Sequence, residues 1–261
     1  MWLAGRRVRQ LSLTVIPGKT FELAIDVRAE GETRLEPRLL FEDAALLVLD
    51  KPPGLPSQGT LATDQATALG WGQRLAGPEV RTVHRLDIGT SGVLLLAKTA
   101  AAATSLAAQF REGHVRKRYL ALCLGKLADS GELRGWLRPA PRPGSFEIGE
   151  ARGVPAETNY RVLRRAGPLV LVEARPLTGR THQIRVHLAS AGAPLLGDVR
   201  YGGRTSIAHG ATALAVVRPL LHAAEICFLH PASGAEMTFA AAPPGDFLAV
   251  AALLDAHLPL P

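Results

Sequence analysis

Three residues in one short stretch carry ionisable chemistry at close spacing: His84, Arg85 and Asp87, in His84-Arg85-Leu86-Asp87-Ile88-Gly89-Thr90-Ser91-Gly92. The stretch runs into the apolar residues 93–97 and then Lys98-Thr99, and Asp87 is the only acidic side chain between Glu79 and Glu112. Cationic neighbours favour the ionised form, so Asp87 is expected to be a carboxylate at working pH. It is then available as a nucleophile, a base or half of an ion pair. A turn-capping aspartate paired with Arg85 carries the same signature, and spacing alone does not separate the two.

Several elements must position this stretch. Residues 46–49 and 93–97 read as buried strands, and 100–110 as a helix of strong formers. Further strands are expected at 118–124, 157–163, 169–174, 220–228 and 237–241. A helix is expected from near His182 to Gly192, where glycine takes the left-handed cap, and an amphipathic one over 246–257. The Pro- and Gly-rich stretch 139–153 reads as a mobile loop. Residues 1–36 form a separate piece, with strand-like runs such as 20–25 in a small hairpin and a polar linker at 28–36, and residues 37–261 form the main domain. Strand-rich, with unevenly placed helices, the chain reads as α+β rather than doubly wound.

Composition narrows the partners. The 261 residues are 47% hydrophobic and 20% charged, ordinary for a folded protein. A net charge of +7 suggests a polyanion, nucleic acid first, although arginine written on solvated faces gives the same balance. Arginine heavily outnumbers lysine and is the better fork for phosphate oxygens. Only Cys123 and Cys227 occur, each in an apolar run, which argues against a disulfide framework or cysteine-based zinc site and fits a reducing compartment. With no apolar leader and no membrane-length run, a soluble, cytoplasmic protein is expected.

The stretch resembles the motif of the RluA-type pseudouridine synthases, His-Arg-Leu-Asp-x-x-Thr-Ser-Gly, matched at all seven specified positions. Gly179-Arg180-Thr181-His182-Gln183-Ile184-Arg185-Val186-His187-Leu188 is similar to that family's second signature, and Gly192 to Asp198 with Tyr201-Gly202 continues in its manner. Shorter echoes are Phe41-Glu42-Asp43, Lys51-Pro52-Pro53-Gly54, Lys117-Arg118-Tyr119, Leu221-His222-Ala223 and His230-Pro231, all in family order. The resemblance implies the pseudouridine synthase fold, a mixed, mostly antiparallel sheet flanked by helices with the active cleft across its middle. It implies a monomeric enzyme acting on structured ribosomal or transfer RNA, with neither cofactor nor metal. In many members a module of two helices and a hairpin precedes the catalytic domain. Residues 1–36 resemble only its hairpin end, so they are a reduced or trimmed RNA-binding module or a plain extension.

Carried over residue by residue, the resemblance makes Asp87 the catalytic carboxylate, Arg185 its partner and Tyr119 the ring that stacks on the target base. Arg185 as a phosphate contact and Tyr119 as a core aromatic are the plainer readings. Arg85 is the residue implied to fill the stack vacated by a flipped base, and His84 to support the loop. Arg180 and Lys117 join them as RNA contacts, and Arg161, Arg164, Arg165 and Arg200 offer a phosphate-tracking surface that a solvated face would mimic. Two positions depart from the family: Ile88-Gly89, where many members have a charged residue and aspartate, and 53–57, which lacks a common histidine.

Other chemistries fit less well. His182 and His187 are five apart, not on one helical face, and no Glu follows His182. A hydrolase built on Ser91, His84 and Asp87 would lack the Gly-x-Ser-x-Gly elbow. An RNA-binding protein without catalysis remains the main alternative, but an ionised Asp87 facing a polyanion would be a liability to it.

Overall fold

The computed structural model describes residues 35–59, 66–149, 153–209 and 212–254, with three short strands before them. Those three, β1 (Trp2–Leu3), β2 (Arg6–Arg7) and β3 (Phe21–Glu22), form a small antiparallel sheet in the order β2-β1-β3. The rest of the expected strand at 20–25 and most of the expected linker lie outside the described residues.

The main sheet has eleven strands. In chain order they are β4 (Arg38–Glu42), β5 (Leu46–Lys51), β6 (Arg81–Thr82), β7 (Ser91–Ala97), β8 (Arg116–Leu124) and β9 (Ser130–Pro139). Then follow β10 (Phe146–Gly149), β11 (Val154–Ala166), β12 (Leu169–Pro176), β15 (Leu221–Leu229) and β16 (Glu236–Ala240). A separate hairpin holds β13 (Ser206–His209) and β14 (Thr212–Ala215). The spatial order is β10-β9-β11-β12-β8-β15-β7-β5-β4, with β16 beside β15 and β6 beside β7. All pairings are antiparallel except β7 with β15, where Ser91 faces His222 and Gly92 faces Ala223. That junction lies in the central part of the sheet, where the family resemblance implies the cleft.

Among the described residues four helices cover both faces: α1 (Ala68–Ala76), α2 (Ala100–Glu112), α3 (Gln183–Ser190) and α4 (Gly245–Ala251). On one face of β5 and β7, Leu46, Val48, Val93 and Leu95 pack with Leu106 of α2; on the other, Leu47, Leu49, Leu94 and Leu96 pack with Ala68 of α1. This two-sided burial explains why both strands read as unbroken apolar runs. At about 1.5–3 kcal/mol per buried leucine or valine, they anchor that half of the sheet. Beyond the junction, Ile184 and Leu188 of α3 cover Ala121, Cys123, Val170 and Val172, and Phe247 and Val250 of α4 cover Leu122 and Leu169. Tyr119 touches both the α1 and α3 clusters, so it stands at the seam of the cleft face.

Gly92 permits the parallel junction. Its φ is 109° and an added Cβ would lie 2.1 Å from the Ala223 carbonyl oxygen, so no side chain fits. The helix ends follow their sequence cues. Thr99 Oγ1 accepts from Ala102 N–H at 3.1 Å, and Gly192 has φ 83° just past α3. Both cysteines are free and buried.

Some expectations are corrected. The stretch expected to be a mobile loop holds β10, paired with β9 from Phe146–Pro139 to Gly149–Trp136. Its turn is closed by backbone bonds between Ala140, Arg142 and Ser145, which supply the order that Pro and Gly alone do not signal. The last helix ends at Ala251 and a single 3-10 turn follows over Ala252–Leu254, with the remainder outside the described residues. Among the described residues no helix is long and apolar enough to cross a membrane.

Candidate active site

The loop between β6 and β7 carries His84, Arg85 and Asp87, and its backbone is held from Leu86 to Thr90. Ser57 Oγ donates to the Leu86 carbonyl at 2.8 Å and accepts the Leu86 N–H at 2.9 Å. The Asp87 carbonyl accepts from Thr90 N–H at 3.0 Å, closing the turn. The Ile88 carbonyl accepts from Gly54 N–H at 2.8 Å and from Lys51 Nζ at 3.3 Å, and Arg218 Nη1 donates to the Gly89 carbonyl at 2.9 Å. Lys51 is fully buried, with two more carbonyl acceptors, Leu55 at 2.8 Å and Pro52 at 3.0 Å. Burial and the Arg218 charge lower its pKa to about 7, against the pull of Asp87. Arg218 in turn forks onto Asp246 of α4 at 2.6 and 2.8 Å.

Asp87 faces Arg185. Arg185 Nη1 donates to Asp87 Oδ2 at 2.9 Å, while Nε and Nη2 fork onto Asp198 at 2.7 and 2.9 Å. One guanidinium thus bridges two carboxylates, with its carbon 5.1 Å from the centre of the Tyr201 ring. Burial works against its charge, but the hydrogen bonds and charges of Asp198 and Asp87 more than offset that and raise its pKa. Arg185 sits in the first turn of α3, as expected, and Asp198 precedes and Tyr201 ends a 3-10 turn over Val199–Tyr201.

A cavity of about 560 Å³ opens in front of this pair, a size suited to a small ligand. Tyr119 lines it from β8; burial first, then the Asp87 charge, push the phenol pKa up, so the ring presents a neutral face. His84 stacks on Phe110 with centroids 4.8 Å apart, and its Nε2 accepts the Leu95 N–H at 3.0 Å. Burial and the Lys117 charge lower it to about 3, so it is a neutral prop for the loop. Arg85 is exposed, lines the cavity, and has no hydrogen bond or ion pair among the described residues.

On the opposite wall, Lys117 Nζ donates to the Thr178 carbonyl at 3.2 Å, and burial with the Arg180 charge lowers it to about 8. Gln183 fixes the intervening loop. Its Oε1 accepts from Thr178 Oγ1 and Arg180 N–H, at 2.7 and 3.0 Å, and its Nε2 donates to Thr158 Oγ1 and the Glu157 carbonyl. Arg180 reaches the Pro155 carbonyl at 3.1 Å and is otherwise exposed.

The structure therefore gathers Asp87, Arg185, Tyr119, Arg85, His84, Lys117 and Arg180 around one cavity. The wider arginine surface is less available. Arg161 pairs with Glu173, Arg165 with Asp129 and the Leu127 carbonyl, and Arg200 with the Pro143 carbonyl and Ser145. The Ser91 hydrolase is ruled out by geometry. Ser91 is buried and bonds His222 Nδ1 at 3.0 Å, while His222 Nε2 bonds the Ala241 carbonyl. His182 and His187 do not converge, the first bonding Tyr201 and the second Thr158.

Sequence reasoning assigned no role to Lys51, Ser57, His182, Asp198, Tyr201 or Arg218. All but Arg218 fall within or beside quoted motifs, so their signal was position in a block rather than residue type.

Residues 45–190 match the family model described as RNA pseudouridylate synthase. A ribosomal large subunit pseudouridine synthase C of Vibrio vulnificus is 37% identical over 236 residues, covering 88% of this chain and 73% of the relative. A ribosomal large subunit pseudouridine synthase D of Nitrosomonas europaea is 40% identical over 258 residues, covering 96% and 72%. The solved structure of human RNA pseudouridylate synthase domain containing 4 superposes with a TM-score of 0.66 at 26% identity, covering 83% of this chain and 92% of that one. The mixed, mostly antiparallel sheet is the fold of the pseudouridylate synthases, and the chain belongs to the RNA pseudouridylate synthase family. Its activity is that of an RNA pseudouridine synthase.

Proposed function

We propose that the protein converts specific uridines of large-subunit ribosomal RNA to pseudouridine in the cytoplasm, with Asp87 as the reacting carboxylate. The observation that carries this reading is the 2.9 Å Asp87–Arg185 pair at the wall of a nucleoside-sized cavity beside Tyr119. The names of the bacterial relatives point to the same substrate class.

The reaction breaks the N1–C1′ bond, turns the uracil and joins C5 to the same C1′. C5 loses a proton and N1 gains one, so no group enters or leaves. A carboxylate suffices, whether it attacks the sugar, attacks the base or takes the 2′ proton, because every route needs it ionised and aimed. Arg185 aims it through a 2.9 Å charged hydrogen bond, and Asp198 keeps Arg185 from following the substrate. Tyr119 offers its ring to the uracil. A paired or stacked uridine reaches this cavity only after extrusion, at a cost of a few kcal/mol. Arg85, unpartnered at the cavity, is placed to stack in the vacated position. Lys117 and Arg180 present cations to flanking phosphates.

The test is tritium release from C5-labelled large-subunit ribosomal RNA and transfer RNA transcripts. Wild type should release tritium from the ribosomal transcript, and Asp87→Asn should not, while binding RNA with equal or higher affinity. Release persisting in Asp87→Asn would remove the carboxylate from the chemistry. Release from transfer RNA alone would replace the substrate assignment.

A further inference from the structure

His182 stands at a position that suits it poorly. It is the only non-glycine residue with positive φ among the described residues, at 58°, and it begins α3 without making a side-chain cap. Glycine or asparagine holds that backbone at less strain, and serine, threonine, aspartate or asparagine caps a helix better. Strained backbone of this kind persists where the surrounding structure over-determines it, often at functional sites.

The imidazole is locked. Nδ1 lies 2.7 Å from Tyr201 Oη, and the ring meets Phe146 and Tyr201 edge-on at centroid distances of 5.7 and 5.6 Å. Tyr201 Oη accepts the Phe146 N–H at 3.1 Å, and among the described residues its own O–H has no acceptor other than Nδ1, to which it donates. Burial, with Arg185 and Arg200, holds the ring below the usual histidine pKa against the pull of Asp87 and Asp198. This hydrogen-bond pattern assigns the neutral ring its proton on Nε2. Nε2 lies 3.8 Å from Asp87 Oδ2, beyond hydrogen-bond range, and has no hydrogen-bond partner among the described residues. His182 lines the cavity with Asp87, Tyr119 and Arg185.

We propose that His182 is a further catalytic residue, whose Nε2–H donates a hydrogen bond to the uracil as it leaves C1′. This rests on the isomerase reading of the site. As the N1–C1′ bond breaks, its electron pair departs with the uracil and spreads over N1, O2 and O4. A fixed donor beside Asp87 strengthens its bond as that charge grows, and His182 keeps its proton throughout. Two of the neighbouring cations are already engaged, Arg185 by two carboxylates and Lys117 by the Thr178 carbonyl.

The test uses the full chain and a C5-tritiated large-subunit ribosomal RNA transcript. His182→Asn tolerates the backbone conformation but is too short to place an N–H where Nε2 lies. Its kcat should fall by on the order of 10²–10³-fold, the loss seen when one preorganised donor is removed. KM and RNA affinity should stay within about threefold, and thermal stability should hold, as expected for an interaction made only in the transition state. Tyr201→Phe, which frees the tautomer, should lower kcat by about tenfold and add nothing in the His182→Asn background. A kcat for His182→Asn within about threefold of wild type, a rise in KM alone, or additive losses in the double variant would each overturn the proposal. A wild type that binds these RNAs yet releases no tritium would overturn the isomerase reading and this proposal together. That result is distinct from an active wild type with an unimpaired His182→Asn.

Discussion

Asp198→Asn tests whether the second carboxylate holds the first one's partner. Asp198 is 1% exposed and Arg185 8%, and two bonds of 2.7 and 2.9 Å join them. Breaking a buried ion pair by removing one partner costs about 3–5 kcal/mol. The low end applies here, because Asp87, 21% exposed, still faces the guanidinium beside an open cavity. Asparagine keeps one acceptor but turns an NH2 group toward a guanidinium N–H. A loss of about 3 kcal/mol in a domain this size lowers Tm by roughly 6–12 °C. Released from its anchor, Arg185 no longer meets Asp87 at a fixed angle. A misalignment worth about 1.4–2.8 kcal/mol in the transition state lowers kcat about 10- to 100-fold. Circular-dichroism melting paired with tritium release measures both. A Tm within about 2 °C of wild type together with unchanged turnover would refute the anchoring argument.

Three further outcomes follow from the same structure. Lys51→Met strands the Pro52 and Leu55 carbonyls, the Ile88 carbonyl keeping its Gly54 N–H, and should cost about 2–4 kcal/mol by urea denaturation. Since the folded pKa of Lys51 is about 7, below its ordinary 10.5, the unfolded chain binds more protons between these values. Wild-type stability should therefore rise with pH across that window relative to Lys51→Met, and parallel curves would contradict the depressed pKa. Gly92→Ala forces a Cβ to 2.1 Å from the Ala223 carbonyl oxygen and should cost more than about 3 kcal/mol, seen as loss of soluble folded protein; normal melting would mean that the β7–β15 junction yields easily. Asp43 accepts from Ala45 and Leu46 N–H and pairs with His230 at 2.7 Å, contacts that outweigh partial burial and lower its pKa. Asp43→Ala should cost about 1 kcal/mol at neutral pH, and the difference from wild type should vanish as acid protonates the folded-state carboxyl.

The sequence by itself determined which ionisable residues the loop carries and the strands beneath it. Residues 93–97 were legible because β7 is buried on both faces and so shows no polar interruption. Asp87 was legible as an isolated carboxylate among cations, and Arg185 through its block and its place in a helix's first turn. Other elements were not legible for local reasons. β9 is exposed along most of its length, so it lacks an apolar run, and α1 contains Gly70 and Gly72, poor helix formers. Gly72 is tolerated because Leu96 Cδ1 would lie 2.8 Å from an added Cβ, a fact of packing rather than of propensity.

Only the tertiary structure decided how the site is held. Asp87 and Arg185 are 98 residues apart and meet because β7, β15 and β8 are neighbours in the middle of the sheet. Asp198 and Tyr201 stood in a quoted block and Arg218 outside any, and nothing in their spacing reports a partner. His182 looked like one more motif position, and its left-handed backbone and tautomer exist only in the fold. The physical reason is range. Periodicity and turn chemistry act over a few residues, whereas the carboxylate, its cation and their supports are set by contacts that close only when the sheet does.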